Sequence, residues 1–115
     1  MNSIYVWGVP DEVKEKVYVD LTKEIIEVFD YRGLEPVVVY FPPERMKWDL
    51  GKEIMVYISG PNLPKECEER DFLAISVGVK VRNAFALAHF SLEHIDCVVL
   101  DEPKVGEGRW SWSRS

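Results

Sequence analysis

The chain has 115 residues, 47% of them hydrophobic and 12% aromatic, which predicts a single folded domain over residues 1–115. The formal charge of −6, from 14 basic and 20 acidic residues, argues against nucleic acid as a partner, because phosphate-backbone binding requires a basic surface. No apolar run approaches the roughly 20 residues that span a bilayer, and no signal-peptide pattern opens the chain. We therefore expect a cytoplasmic protein that does not associate with membranes.

The first elements predicted along the chain are a strand and a helix. Residues 3–9 predict a strand that carries Ile4 and Val6 on one face and Tyr5 and Trp7 on the other. Pro10 and the two acidic residues after it are typical of a helix start. The helix is predicted to run for about twenty residues and to end at Gly33. Its apolar face comprises Val13, Val17, Leu21, Ile25 and Val28.

The stretch Pro36–Pro43 is the most apolar segment of the first half. Three valines, a tyrosine and a phenylalanine follow one another there without polar alternation. Such a run predicts a strand at the centre of the sheet, covered on both faces and ended by the paired prolines. A helix between two strands makes them parallel, so residues 3–44 are predicted to form a βαβ unit.

The second half has two clear strands and one ambiguous segment. Residues 53–59 and 94–100 predict the third and fourth strands. Between them, residues 74–82 alternate as a strand does, yet apolar residues also recur there at helical spacing. We favour a single helix over about 66–90, because its length fits better and its later part is rich in alanine.

The two halves repeat one pattern, strand–helix–strand, over residues 3–44 and 53–103, and an aromatic tail follows at 104–115. We predict an α/β (α+β) domain in which two βαβ units form a four-stranded sheet with both helices on one face. The other face would be uncovered, as is typical of an oligomer. It would carry four aromatic side chains, Tyr5, Trp7, Tyr40 and Tyr57. Trp110 and Trp112 in the tail also need a surface, such as that of a neighbouring subunit.

Few residues point to bound metals or to redox chemistry. Cys67 and Cys97 are predicted to be unlinked thiols, and Cys97 lies in an apolar run as a small core residue. His89 and His94, with Asp96, lack the closed ligand set of a zinc site, so we interpret them as structural. The sequence indicates neither a metal nor a cofactor.

Short motifs near the ends of the predicted strands occur in an order that is similar to one known family. They are Val9–Pro10, Pro43–Met46, Ser59–Gly60, and Gly108 near Trp110. With the two βαβ units, they resemble the tautomerase superfamily, in particular its macrophage migration inhibitory factor type. The resemblance implies a homotrimer in which three sheets form a central barrel and the active sites lie between subunits.

The chain departs from that family in its catalytic residues. The family's catalysis depends on an amino-terminal proline, whereas Met1 is followed here by Asn2. The family's tyrosine and asparagine on the last strand fall near Cys97 and Val99. Arg32 keeps the charge of the family's pocket lysine. Proline-dependent tautomerase activity is therefore not expected.

Five residues remain as candidates for a site, and all but Met1 have a plainer structural interpretation. Arg32, Arg45 and Trp48 could bind a substrate carboxylate between subunits, or could be ordinary surface residues. Met1, through its amino group, and Asp101, which could instead cap a turn, are the catalytic candidates.

Two hypotheses on function follow from these residues. The first is a tautomerase-like homotrimer that binds a small carboxylate ligand or acts as an assembly protein. The alternative is a divergent isomerase that acts on small keto or carboxylate compounds at a subunit interface. A monomeric ferredoxin-like domain is the alternative fold, because it has the same element order.

Overall fold

The structure is a computed structural model that describes residues 1–42, 53–100 and 108–114. Seven elements follow one another in these ranges. They are β1 (Asn2–Trp7), α1 (Lys14–Tyr31), β2 (Val37–Tyr40), β3 (Glu53–Ser59), α2 (Cys67–Leu87), β4 (His94–Val99) and β5 (Gly108–Ser113).

The strands form one mixed five-stranded sheet in the order β2-β1-β3-β4-β5. β1 pairs with β2, and β3 with β4, in parallel, whereas β1 with β3 and β4 with β5 are antiparallel. The predicted α+β class is therefore confirmed, but the sheet has five strands rather than four. The two strands of each βαβ unit are direct neighbours, so the sheet also differs from the ferredoxin-like fold, in which the βαβ unit is split.

The prediction that Pro36–Pro43 contains the central strand is wrong. β2 is an edge strand, and β3 lies at the centre between β1 and β4. The three valines of β2 are only half-buried, and Tyr40 is 44% exposed. Valine favours the extended backbone whether or not both faces are covered. A short edge strand between prolines is also a common protection against edge-to-edge pairing.

The aromatic tail forms the fifth strand and packs within its own chain. Trp110 and Trp112 pair with Cys97 and Ile95 of β4 and lie against the core. α2 approaches so closely at Gly78 that a Cβ there would overlap the indole ring of Trp110. The surface that these tryptophans need is therefore provided by α2 and the core of the same chain, and not by a neighbouring subunit.

The ambiguous segment is helical, which confirms the single helix favoured for residues 66–90. α2 extends over Cys67–Leu87 and buries a wide side against the sheet, including Leu73, Val77 and Val81. Ile75, which suggested a strand by alternation, is 38% exposed on the other side of the helix.

The predicted end of α1 at Gly33 is confirmed. Gly33 adopts a φ of 66°, and the amide of Leu34 donates to the carbonyl of Phe29 at 3.0 Å, which closes the last turn. The helix begins at Lys14 rather than at Pro10, after a turn. Of the residues predicted on its apolar face, Val17, Leu21 and Ile25 are fully buried; Val13 and Val28 are only partly buried, and Phe29 completes the buried stripe.

The core lies between the two helices and one face of the sheet. Alternate strand residues face it, namely Ile4, Val6, Ile54, Val56, Ile58, Ile95, Cys97 and Val99. Cys97 is fully buried and Cys67 exposed, and both are free thiols, as predicted. Within the described ranges, neither helix has the length and apolarity needed to cross a membrane.

Candidate functional site

The face of the sheet opposite the helices, here called the open face, carries no helix or strand among the described residues. The register places Tyr5 between Tyr40 and Tyr57 on this face, as the sequence predicted. The rings of Tyr5 and Tyr40 stack with centroids 4.9 Å apart and an interplanar angle of 14°. One part of the open face is therefore aromatic.

Polar side chains occupy another part of the open face, where β3 and β4 begin and β5 ends. Glu53 pairs with His94 across the parallel strands, and His94 pairs with Ser113 across the antiparallel ones. Asp96 lies two residues further along β4 and therefore on the same face. We call these four residues the polar row.

Hydrogen bonds join three members of the polar row. Nε2 of His94 lies 2.9 Å from Oδ2 of Asp96, and Nδ1 of His94 contacts Oγ of Ser113. An ionised carboxylate only accepts hydrogen bonds, so Nε2 donates its hydrogen to Asp96. In the neutral ring, Nδ1 is then the acceptor of the Ser113 hydroxyl hydrogen. The arrangement thus selects one tautomer of the imidazole.

The three groups also form a gradient of burial. The Asp96 side chain is only 10% exposed and that of His94 30%, whereas Ser113 lies at the surface. A carboxylate at the buried end stabilises positive charge on the imidazole when the ring accepts a second proton. The exposed end is where a small molecule can reach the ring and the hydroxyl.

Two polar atoms on the open face are buried and have no hydrogen-bond partner among the residues that the structure describes. They are Oε2 of Glu53 and Nε1 of Trp7. Glu53 neighbours His94, while Trp7 aligns with Met55, which in turn neighbours Asp96. A buried polar atom without a partner costs about 1–3 kcal/mol, so such atoms are few in folded proteins and each calls for an explanation. They provide an acceptor within the polar row, on Glu53, and a donor next to it, on Trp7.

Cys97 follows Asp96 in sequence but lies on the opposite face, in the core. Burial raises the pKa of the Cys97 thiol well above its ordinary value, and the nearby charge of Asp96 raises it further. The sulfur therefore stays a neutral thiol and is not a nucleophile for the polar row. Among the described residues, no three His, Cys, Asp or Glu side chains come together as a metal site would require.

The structure places Arg32 away from the polar row, on the helical side of the protein. Its Nη2 donates to Oγ of Ser76 at 2.8 Å and to the carbonyl of Phe72 at 3.4 Å. Arg32 and Ser76 line a groove of about 620 Å³ between α1 and α2. The guanidinium thus links the two helices.

Met1 also lies far from the polar row. Its amine is 3.8 Å from Oε2 of Glu35, and the residue is 70% exposed. β1 separates it from Trp7 by six residues, which corresponds to about 20 Å of extended chain. The remaining candidates, Arg45, Trp48 and Asp101, lie outside the described residues.

Sequence reasoning missed Ser113 and Glu53 and interpreted His94 as structural. Two residues of the polar row, His94 and Asp96, share one short strand, and their spacing was visible in the sequence. Their alignment with Ser113 depends on the register of β4 against β5. The sequence of the tail predicts no strand, so it does not place Ser113 beside His94. The alternation of side chains along β3 could have placed Glu53 on the face of the sheet opposite that of Ile54, Val56 and Ile58.

Together the fold and the site define an α+β protein with a mixed five-stranded sheet and a histidine-centred polar row on its open face. No family model matches the chain, and no curated protein does either. The tautomerase resemblance therefore stays a prediction.

Proposed function

We propose that this protein is a proton-transfer enzyme of the isomerase type that acts on a small keto compound at the polar row. The observation that supports this most strongly is the position of His94, held between a buried carboxylate and an exposed hydroxyl. A histidine with a fixed tautomer and a group that stabilises its protonated form is the usual general base of enzymes.

The reaction starts when the Ser113 hydroxyl turns from the ring toward the substrate carbonyl, which frees Nδ1 of His94. Nδ1 then accepts a proton from the carbon beside the carbonyl, and the C–H electron pair forms the double bond of an enolate. The Asp96 carboxylate stabilises the imidazolium. The Ser113 O–H donates a hydrogen bond to the enolate oxygen, where negative charge develops.

The second half of an isomerisation returns the proton to a different atom. The imidazolium can release it to the enolate oxygen, which gives the enol. Glu53, the direct neighbour of His94 on β3, provides a second carboxyl group for proton transfer at another carbon. The backbones of adjacent strands lie about 4.8 Å apart. Two proton-transferring groups at this separation suit the movement of a proton between nearby atoms of one small substrate.

This proposal assigns to His94 the role that the tautomerase family gives to an amino-terminal proline. The exposed amine of Met1, paired with Glu35, has no part in it. The absence of proline-dependent activity stays a prediction, and the proposed reaction class follows the isomerase alternative.

The test is the keto–enol conversion of an aryl pyruvate followed by ultraviolet absorbance. We expect turnover above buffer for the wild type and a loss of about 10²-fold or more in His94→Asn, which is typical for removal of a general base. Arg32→Ala is the matched control, since it removes a side chain on the other side of the protein, and it should keep full activity. Equal turnover in wild type and His94→Asn would contradict the proposal.

Assembly into a homotrimer is the second candidate function, supported by the stacked Tyr5–Tyr40 pair on the open face. A half-exposed aromatic surface favours burial against another copy of the chain. Light scattering should give three times the 13.3 kDa of one chain. Tyr40→Lys should lower that mass, whereas Tyr31→Lys, at a 93% exposed position of α1, should not. A wild-type mass of 13.3 kDa would exclude the trimer.

A further inference from the structure

A second pocket, distinct from the polar row, lies where α2 ends and β5 ends. It has a volume of about 430 Å³, within the range of small-molecule sites. Its polar lining includes Arg82, His89 and Arg114, and none of the described residues that line it is acidic. The chain as a whole carries a charge of −6, so this concentration of basic side chains is a local exception.

The two arginines are available to a ligand. In the part of the chain that the structure describes, neither Arg82 nor Arg114 forms an ion pair or a side-chain hydrogen bond. The C-terminal end of α2 attracts cations, but its partial charge is only about −0.5. Two full positive charges exceed it, so the pocket remains attractive to an anion.

The other wall of the pocket is apolar and largely aromatic. Phe85 and Phe90 pack with ring centroids 5.9 Å apart, and Trp112 of β5 completes the wall. Near the end of α2, the carbonyls of Ala84, Phe85 and Ala86 accept hydrogen bonds from the amides of residues 88–90. The pocket therefore combines a planar apolar surface with guanidinium groups.

We propose that this pocket binds a small aryl carboxylate, with the carboxylate on Arg82 and Arg114 and the ring against Trp112. Guanidinium groups match the geometry of a carboxylate, since their N–H groups donate in pairs. Aromatic side chains stack with a planar ring. The proposal is independent of the acid–base chemistry of His94, because the ligand need not have a proton that can be transferred.

The probe is benzoate, which has no carbon-bound proton beside a carbonyl and so cannot report on isomerisation. We expect saturable binding at millimolar concentrations or below, measured by calorimetry and by a change in fluorescence that Trp112→Phe abolishes. Arg82→Gln and Arg114→Gln should each weaken binding about twofold to fivefold, as expected for loss of one solvent-exposed ionic contact.

Three comparisons make the result decisive. Lys23→Gln, an exposed cation of α1 outside the pocket, should bind benzoate as the wild type does. Benzamide, which lacks the charge, and inorganic phosphate, which lacks the ring, should both bind more weakly than benzoate. Undetectable benzoate binding, or equal affinity in the wild type and both arginine variants, would overturn the proposal. Phosphate binding as tight as that of benzoate would also overturn it, because the ring would then contribute nothing.

Discussion

Asp96 and His94 lie two residues apart on β4, and Oδ2 of the first accepts a hydrogen bond from Nε2 of the second at 2.9 Å. The two-residue period of a strand puts both side chains on one face, so the contact does not depend on how β4 pairs with other strands. Ser113 is different, because it reaches the ring only through the pairing of β4 with β5. The site thus combines a local pair with one distant residue.

Asp96→Asn tests the local pair. The amide keeps the shape of the side chain but loses the charge that stabilises the imidazolium, so we expect a fall in kcat of about 10²-fold or more with little change in KM. The control is Asp30→Asn, at an exposed position of α1, which should behave as the wild type. An unchanged kcat in Asp96→Asn would show that the carboxylate does not support His94.

Ser113 has a predicted role as a hydrogen-bond donor, and that role differs from nucleophilic catalysis. The order serine–histidine–aspartate also occurs in acyl-transfer enzymes, where the serine becomes covalently modified. We expect Ser113→Ala to reduce keto–enol turnover less than His94→Asn does. A fluorophosphonate reagent should leave the mass of the protein unchanged. Stoichiometric labelling at Ser113 would instead assign the polar row to acyl transfer.

Gly78→Ala tests the contact that holds β5 in place. At a helical site with space, alanine stabilises a protein by about 1 kcal/mol relative to glycine. Here the added methyl group would overlap the indole of Trp110, and overpacking of this kind costs about 1–3 kcal/mol. We expect the overlap to dominate, so urea unfolding should show a net loss of stability.

The double variant Gly78→Ala/Trp110→Leu is the control for that contact. If the overlap is the cause, Gly78→Ala should cost less in the Trp110→Leu background than in the wild type. Equal costs in both backgrounds would show that Trp110 is not the obstacle.

Cys97 should make stability depend on pH in the alkaline range. Its thiol has an ordinary pKa of 9.0, and burial raises that pKa in the folded state, so the unfolded chain loses this proton first. The contribution to stability is complete below about pH 9 and declines as the pH rises further, at up to about 1.4 kcal/mol per pH unit.

Urea unfolding of the wild type and Cys97→Ala between neutral pH and the alkaline range measures this effect. The variant lacks the thiol and should show the shallower decline. The exposed Cys67 is present in both proteins and cancels in the comparison. Parallel declines would indicate that Cys97 is not protected from ionisation in the folded state.

Much of the fold could be predicted from the sequence, because it depends on local patterns. The apolar stripe of α1 and its end at Gly33, as well as the helical character of α2, follow from spacing and from backbone preference. The position of β2 in the sheet could not be predicted in this way. A run of valines indicates a strand, but it does not determine how many neighbours the strand has.

The functional site was harder to predict, because it depends on the register in which β5 pairs with β4. A shift of one residue in the pairing of β4 with β5 would move Ser113 to the core face. Arg70 shows the same limit. Among the described residues it is the largest fully buried side chain. It donates to the carbonyls of Pro64 and Val99, yet no sequence pattern distinguishes it from a surface arginine.

The most direct test of the central claim is whether His94 moves a proton from carbon. Incorporation of deuterium from D2O at the carbon beside the carbonyl of an aryl pyruvate can be followed by NMR, in the absence of net product formation. We predict that the wild type accelerates this exchange above the rate in buffer, that His94→Asn does not, and that Arg32→Ala exchanges as fast as the wild type. Exchange by His94→Asn at the wild-type rate, or no acceleration by the folded wild-type protein, would contradict the account.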